Sequence, residues 1–178
     1  MLYSQKIRIY PTTLQQNLIE KTFGCCRWVY NEALSYCQDS YSRNSAHPSR
    51  FQLINRLPKL KPDNPWLYEV DSQALQFACR CVDMAFKHFF KSLKEGGKPG
   101  FPRFKSKFSS HASYTTTAAG CIKYANNKIR LPKVGWLKSR GGKTCPPVIK
   151  SATVSRTPTK KYYVSILFES DRRERNEK

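Results

Sequence analysis

Acidic residues are scarce in the second half of this 178-residue chain. Residues 96–170 hold a single acid, Glu169, against 15 Lys and Arg, a net charge of +14, whereas residues 1–95 hold 13 Lys and Arg against 8 acids, a net charge of +5. The last 8 residues add +1, which completes the formal net charge of +20. A folded segment with so much uncompensated charge repels itself unless a polyanion neutralises it. The charge therefore favours a protein that binds nucleic acid with release of counterions.

Long apolar runs are also missing. No run approaches the roughly 18 residues of a membrane-spanning helix, so we expect no membrane partner. An acidic membrane surface and charge retained only for solubility are the alternatives, but the amphipathic stretches need their apolar faces for a core. With 39% hydrophobic and 13% aromatic residues, the chain has the apolar material that a disordered polycation lacks. We expect it to fold.

Paired C-x-x-C motifs are absent, and the three histidines have no ligand spacing, although the chain has seven cysteines. We therefore predict neither a zinc site nor any other cofactor. No secretory signal pattern precedes the first strand, which favours a cytoplasmic protein with reduced thiols. Cys26, Cys37 and Cys79 are expected to be small core residues on helices.

The N-terminal segment alternates apolar and polar residues. From Tyr3 to Tyr10 the period of two predicts a short strand, with Ile7 and Ile9 on one face and Lys6 and Arg8 on the other.

Helical spacing follows this strand. It predicts a helix that begins at Thr12 or Thr13 and ends at Gly24, with a second helix beginning at once. Two helices joined at a tight turn are typical of a helix-turn-helix pair. An ordinary antiparallel helical hairpin fits the same pattern.

Two further helices are predicted. A short one covers about 51–57 and ends at Pro58. The longest helix of the chain follows, capped by Asp71 or Ser72, with an apolar stripe from Leu75 to Phe89 at i, i+3, i+4, i+7 spacing.

Residues 96–112 are rich in Gly and Pro and interleave cations with Phe. Such a segment can lay cations along a phosphate backbone while its aromatic rings anchor it or stack on bases. A solvated linker is the alternative. The candidate phosphate contacts here are Lys98, Arg103, Lys105 and Lys107.

The rest of the chain has the period of strands. A hairpin is predicted around Asn126-Asn127, a short strand at Trp136–Lys138, and a second hairpin around Pro158-Thr159. Five or six short strands with one cationic side are typical of a small β-barrel of the oligonucleotide-binding type, which the first strand would join.

The predicted fold class is therefore α+β, a small oligonucleotide-binding-like barrel with an inserted helical domain. The predicted division is residues 1–10 as the first barrel strand, 11–95 as the helical insertion, 96–112 as a basic linker, 113–170 as the rest of the barrel and 171–178 as a charged tail.

Seven motifs in order give the chain a resemblance to TnpB, the OrfB-type protein of insertion sequences. Each motif alone is weak evidence for the family, but together they span residues 6–165 in the same order as in the family. They are Lys6–Pro11, Phe23–Asn31, Trp66–Gln76, Ala85–Phe90, Gly100–Lys105, Leu131–Trp136 and Tyr162–Ser165.

This resemblance implies an RNA-guided DNA nuclease family in which a barrel-shaped wedge domain is interrupted by a helical recognition domain. Structured guide-type RNA and DNA are the implied partners. The family's contacts to the flanking DNA motif lie near the start of the helix that matches Ser72 and Gln76.

The resemblance also implies a RuvC-like nuclease with three metal-binding carboxylates and paired C-x-x-C motifs. Here the matching point is Asp171, which lies in a charged run and not in an apolar strand. We therefore assign no catalytic residue and no metal site, and we expect the nuclease half to be absent.

The leading hypothesis is a truncated TnpB-like transposon protein that binds RNA and DNA and is not an enzyme. Three alternatives stay open: a DNA-binding repressor that uses the helix-turn-helix-like pair, with Arg27 on its exposed side; one piece of a split nuclease whose other half is encoded separately; and an inert remnant. On the barrel, the predicted phosphate contacts are Lys123, Arg130, Lys133, Lys138 and Lys150.

Overall fold

Seven antiparallel strands and three α-helices make up the part of the chain that the computed structural model describes, residues 2–43, 46–108, 111–141 and 148–169. They fall into two compact units, one formed by residues 1–23 and 110–178 and the other by residues 24–109. The α+β class predicted from the sequence is confirmed.

The first unit contains one sheet, in the order β2-β6-β7-β1-β5-β4-β3. The N-terminal strand is its central strand and pairs with β5 and β7, so the prediction that it joins the later strands is confirmed. The strands are β1 Leu2–Tyr10, β2 Ala112–Thr116, β3 Lys123–Ala125, β4 Lys128–Leu131, β5 Gly135–Arg140, β6 Val148–Arg156 and β7 Tyr162–Glu169.

The predicted closure of this sheet into a barrel is wrong. β2 and β3 are the two edge strands, and among the described residues no pairing joins them. Closure requires the edge strands to pair along their length at a consistent stagger. β3 has only 3 residues, with few backbone groups to offer a second partner.

The first hairpin forms as predicted. Asn126 and Asn127 have φ angles of 47° and 54°, the left-handed conformation that a two-residue turn of type I′ requires and that Asn tolerates. Tyr124 pairs with Ile129 and Lys123 with Arg130, so apolar and cationic side chains point to opposite faces.

The core of the first unit lies on the inner face of the sheet. Ile7 and Ile9 are buried there beside Val164 and Ile166. The first turns of helix α1, Thr13–Ser42, contribute to the same core, since Ile19 is fully buried and the ring of Phe23 meets that of Tyr114 edge-on at 5.6 Å. A polar contact adds specificity: the carboxylate of Glu20 accepts hydrogen bonds from the Tyr162 hydroxyl at 2.8 Å and from Arg156 at 2.6 Å.

Helix α1 is one continuous helix, Thr13–Ser42. The prediction of a break at Gly24, and with it of two short helices at this point, is therefore wrong. Glycine ends a helix when it takes a left-handed φ, as Gly96 does at 75° after the last helix. Gly24 has no positive φ. Inside a helix it costs only about 1 kcal/mol relative to alanine, and the buried stripe runs on through Cys25 and Cys26.

The second unit contains the rest of α1, α2 Arg50–Leu60 and α3 Ser72–Lys94. Ser49 caps α2 in a capping box with Gln52. The helix continues through Pro58 to Leu60, three residues beyond Leu57, the last residue of the predicted helix. Asp71 caps α3 as predicted. At 23 residues, however, α3 is shorter than the 30-residue α1, so the expectation that it would be the longest helix is wrong.

Cys26, Cys37 and Cys79 are buried in this helical unit, as predicted. Burial raises the pKa of the Cys37 thiol to about 11 and that of the Cys79 thiol to about 12, and it raises the pKa of Cys26 as well. These thiols are therefore held in their neutral form and behave as small apolar side chains.

Candidate nucleic-acid interface

The face of the sheet opposite the core is basic and aromatic. Alternation along each strand turns every second residue outward, and the register aligns these residues across β7, β1, β5, β4 and β3. We call this surface the outer face. Its basic and aromatic members are Lys6, Arg8 and Tyr10 of β1, Lys123 of β3, Lys128 and Arg130 of β4, Trp136, Lys138 and Arg140 of β5, and Tyr163 of β7.

Three pairs of cations lie directly opposite one another across neighbouring strands. Arg8 pairs with Arg140, Lys128 with Lys138, and Lys123 with Arg130. Like charges at such positions repel each other and destabilise a sheet by roughly 0.2–1 kcal/mol per pair. The cations of the outer face therefore repel one another in the free protein, and a bound anion would relieve this repulsion.

Arg8 is at the centre of a cluster of cations and rings. Its Nη1 donates a hydrogen bond to the Tyr163 hydroxyl at 3.3 Å, and its guanidinium lies 5.1 Å from the Tyr163 ring centre and 5.4 Å from that of Tyr10. Lys6 Nζ lies 4.7 Å from the same Tyr163 ring. The hydrogen bond from Arg8 and the nearby cations lower the pKa of Tyr163, which reflects a strongly positive local potential.

Three of the five cations predicted on this part of the chain come together on the outer face: Lys123, Arg130 and Lys138 are all exposed there. Lys133 is exposed in the turn before β5, with a φ of 64°. Lys150 lies in a bulge of β6 and forms an ion pair with Glu169 at 2.9 Å, so part of its charge is already neutralised.

Sequence reasoning placed Lys6 and Arg8 on the polar face of the first strand but did not include them, Lys128, Arg140 or the three rings in the site. The missing information is the position of β1 between β5 and β7. That pairing joins residues more than 120 positions apart, and no local pattern encodes it. A signal was present in the alternation of Lys6, Arg8 and Tyr10 in β1.

The second unit presents a basic loop after α3. Phe101 anchors it, because its ring lies 5.4 Å from Phe86 and 5.1 Å from Phe89. A second anchor is Asn31, whose side-chain oxygen accepts from the backbone N–H of Lys105 at 2.8 Å and whose side-chain nitrogen donates to the Lys105 carbonyl at 3.0 Å.

Cations and two exposed rings, Phe104 and Phe108, lie between and beyond these anchors. Lys105 Nζ lies 4.1 Å from the Tyr30 ring centre, while Phe104 is 54% exposed. The predicted contacts Lys98, Arg103, Lys105 and Lys107 are all exposed on this segment.

The remaining predicted contacts lie on helices of the second unit. Arg27 is partly exposed on α1. Ser72 is the exposed first residue of α3 and accepts a hydrogen bond from Lys61 Nζ at 3.2 Å. Gln76 lies one turn later and is partly exposed. Lys61 also lies 5.2 Å from the ring centre of Tyr68, so the start of α3 carries a cation and a ring beside these polar groups.

The described carboxylates are mostly engaged in structural contacts. Glu20 and Glu32 bind Arg156 and Arg56, Asp83 binds Lys87, and Asp71 caps α3. Within the ranges that the structure describes, no three His, Cys, Asp or Glu side chains come together to hold a metal ion, and no helix is long and apolar enough to cross a membrane. Asp171 and the predicted charged tail, 171–178, lie outside the described residues.

Comparison with known proteins finds one family profile and several relatives that match this chain. The profile of the family HTH_OrfB_IS605, described as a helix-turn-helix domain, matches residues 1–45. The chain is 28% identical over 172 residues to the Escherichia coli protein named "Putative RNA-guided DNA endonuclease InsQ", and it is 33% identical over 171 residues to a Streptomyces pristinaespiralis protein with the name "Putative RNA-guided DNA endonuclease".

These matches cover most of this chain but less than half of the relatives. They take in 96% and 92% of the chain and 41% and 40% of the two relatives' lengths. A third relative, the "Virulence protein VsdF" of Salmonella dublin, is 32% identical over 116 residues, which are 60% of this chain and 95% of VsdF. The relatives thus include a shorter protein, nearly all of which aligns with this chain.

Proposed function

The chain belongs to the OrfB/TnpB-like family, and from this premise we propose that its 178 residues bind RNA and DNA as the recognition part of a TnpB-like transposon protein and do not cleave them. The observation that carries the proposal is the outer face, with its three opposed cation pairs. A polyanion is the ligand that neutralises all three pairs at once.

RNA and DNA are the proposed partners because the two long relatives are named as RNA-guided DNA endonucleases. The outer face offers contacts to phosphate, which position a nucleic acid without reading its sequence. Sequence reading is assigned to the polar groups at the start of α3, Ser72 and Gln76, which are suited to hydrogen bonds with base edges.

Binding without cleavage is proposed because the carboxylates of the folded core have other roles. Phosphodiester hydrolysis by two metal ions needs several carboxylates directed at one point. Glu20, Glu32 and Asp83 each neutralise a neighbouring cation instead. The chain spans about two fifths of the length of the two long relatives, which are named as endonucleases.

The test is recovery of bound RNA from the protein's own cells. The tagged protein is purified beside a matched variant, Lys138→Gln with Arg140→Gln, and the bound RNA is sequenced. Strong enrichment of one structured RNA by the wild type, reduced in the variant, supports the proposal. Scattered RNA in equal amounts from both proteins would contradict it. Enrichment of one duplex DNA sequence without RNA would indicate a repressor instead.

A further inference from the structure

Three aromatic rings lie on the outer face among its cations. Tyr10 is 47% exposed, Trp136 is 46% exposed, and Tyr163 is partly exposed. Burying such rings in a core would contribute a large hydrophobic stabilisation, so their place on an open, charged face calls for a ligand that covers them.

We propose that the outer face binds single-stranded nucleic acid, with bases stacked on Tyr10, Trp136 and Tyr163 and phosphates held by the surrounding cations. This inference rests on the proposed function and specifies the form of its ligand. Base stacking on aromatic side chains tolerates any sequence, because every base presents a flat π-face.

The register of the sheet sets rings and cations side by side. Tyr10 is opposite Lys138, Trp136 is opposite Arg130, and Tyr163 is opposite Arg8. Neighbouring strands are about 4.8 Å apart, so each ring has a cation within reach of the phosphate that flanks a stacked base. This alternation of stacking surface and positive charge is what a single strand needs along its length.

A duplex makes poorer use of this face. Its bases are already stacked internally, so the outer face would contact its phosphates and the three rings would have no base to stack on. A protein ligand is also disfavoured, because lysine is depleted at protein interfaces and four of the cations of the outer face are lysines. The outer face instead carries seven cations: Lys6, Arg8, Lys123, Lys128, Arg130, Lys138 and Arg140.

Tyr163 is held in place for such a contact. Arg8 binds its hydroxyl, and the Lys6 ammonium lies against its ring. A ring that is fixed before binding loses little conformational freedom when a base stacks on it. Arg8 is thus a positioning residue for Tyr163 as well as a phosphate contact.

The experiment compares single-stranded and duplex ligands on the full chain. Fluorescence anisotropy gives the affinity for labelled oligo(U), oligo(dT) and a DNA duplex of equal length. The test variants are Trp136→Leu and Tyr163→Leu, which keep apolar bulk but remove the ring. Tyr163→Phe is the matched control that keeps the ring. Thermal melts show that each variant is folded.

Each ring removed should weaken oligo(U) binding roughly 5-fold to 150-fold, the range for loss of one stacked base. Duplex binding should change less than twofold, and the salt dependence should stay the same because no charge is altered. Tyr163→Phe keeps the ring but loses the hydrogen bond from Arg8, so it should bind oligo(U) slightly more weakly than the wild type and much more tightly than Tyr163→Leu. A preference between oligo(U) and oligo(dT) identifies whether RNA or DNA is the natural strand.

Tryptophan fluorescence gives an independent reading. Trp28 and Trp66 pack against each other in the other unit, with ring centres 5.1 Å apart, whereas Trp136 is exposed. Oligo(U) should quench the wild-type emission, and Trp136→Leu should abolish that quenching. If the ring variants bind oligo(U) like the wild type while Lys138→Gln with Arg140→Gln binds weakly, stacking is refuted and the proposed function stands. If neither kind of variant weakens binding, both proposals fail.

Discussion

Arg8 in β1 lies directly opposite Arg140 in β5, and the two guanidinium groups share the outer face of the sheet. The same relationship recurs between Lys128 and Lys138. In a protein selected for stability alone, one member of such a pair would be neutral or acidic. The proposed function gives a reason for these pairs: the free protein would give up some stability in order to bind an anion.

Arg140→Gln is therefore expected to stabilise the free protein and to weaken nucleic-acid binding. Removing one of two facing charges should raise the free energy of unfolding by about 0.5 kcal/mol at low salt. Urea denaturation and oligonucleotide binding measure the two effects. Lys59→Gln, at an exposed lysine in the last turn of α2, is the matched control: it should leave oligonucleotide binding unchanged and lower the free energy of unfolding, because a cation there stabilises the helix. A destabilised Arg140→Gln would show that the facing cations do not repel.

Asn31→Ala should loosen the basic loop. The variant loses two hydrogen bonds to the backbone of Lys105, each with a net contribution of about 1 kcal/mol. Amide hydrogen exchange at Lys105 should speed up, and affinity for RNA should fall several-fold because the loop cations are no longer preorganised. Asn31→Asp keeps the acceptor for the Lys105 N–H and should give an intermediate result. If amide exchange at Lys105 is unchanged in Asn31→Ala, the two hydrogen bonds from Asn31 do not hold the loop in place.

Gly24→Ala distinguishes one helix from two. A side chain at this position meets no atom within 4 Å, and the φ of Gly24 is not positive. Alanine should therefore raise the free energy of unfolding by roughly 0.5–1 kcal/mol, as expected within a helix. A helix-turn-helix turn with a left-handed glycine would respond in the opposite direction. Thermal unfolding followed by circular dichroism at 222 nm decides between the two.

Thiol labelling tests the helical core. Cys121 is exposed, whereas burial raises the pKa of Cys37 to about 11 and that of Cys79 to about 12. Because the thiolate is the reactive species, iodoacetamide at pH 8 should modify Cys121 well before Cys37 and Cys79, which should stay unmodified until the protein unfolds. Peptide mass spectrometry identifies the sites. Rapid labelling of Cys79 in the native protein would contradict the described packing.

Local features of the fold were readable from the sequence. The Asn126-Asn127 turn and the alternation of Ile7 with Arg8 follow from the conformational limits of single residues and from the period of a strand. The predicted helix end at Gly24 was wrong because a glycine ends a helix only when its φ is left-handed, and the sequence alone does not determine that angle.

Features that depend on distant pairing were not readable. Neither the open edge between β2 and β3 nor the position of β1 beside β5 follows from a local pattern. For the same reason Lys123, Arg130 and Lys138 were identified as candidates, while Arg8 and Arg140 were missed. The ion pair of Lys150 with Glu169 likewise depends on how β6 and β7 align.

The central claim, that the outer face binds nucleic acid through its charges, is tested most directly by the salt dependence of oligo(U) binding. If each of the seven cations neutralises one phosphate, the logarithm of the association constant should fall against the logarithm of salt concentration with a slope of about −5. Lys138→Gln with Arg140→Gln should reduce the steepness by about 1.4. A slope near zero, or the same slope in this variant as in the wild type, would contradict the claim.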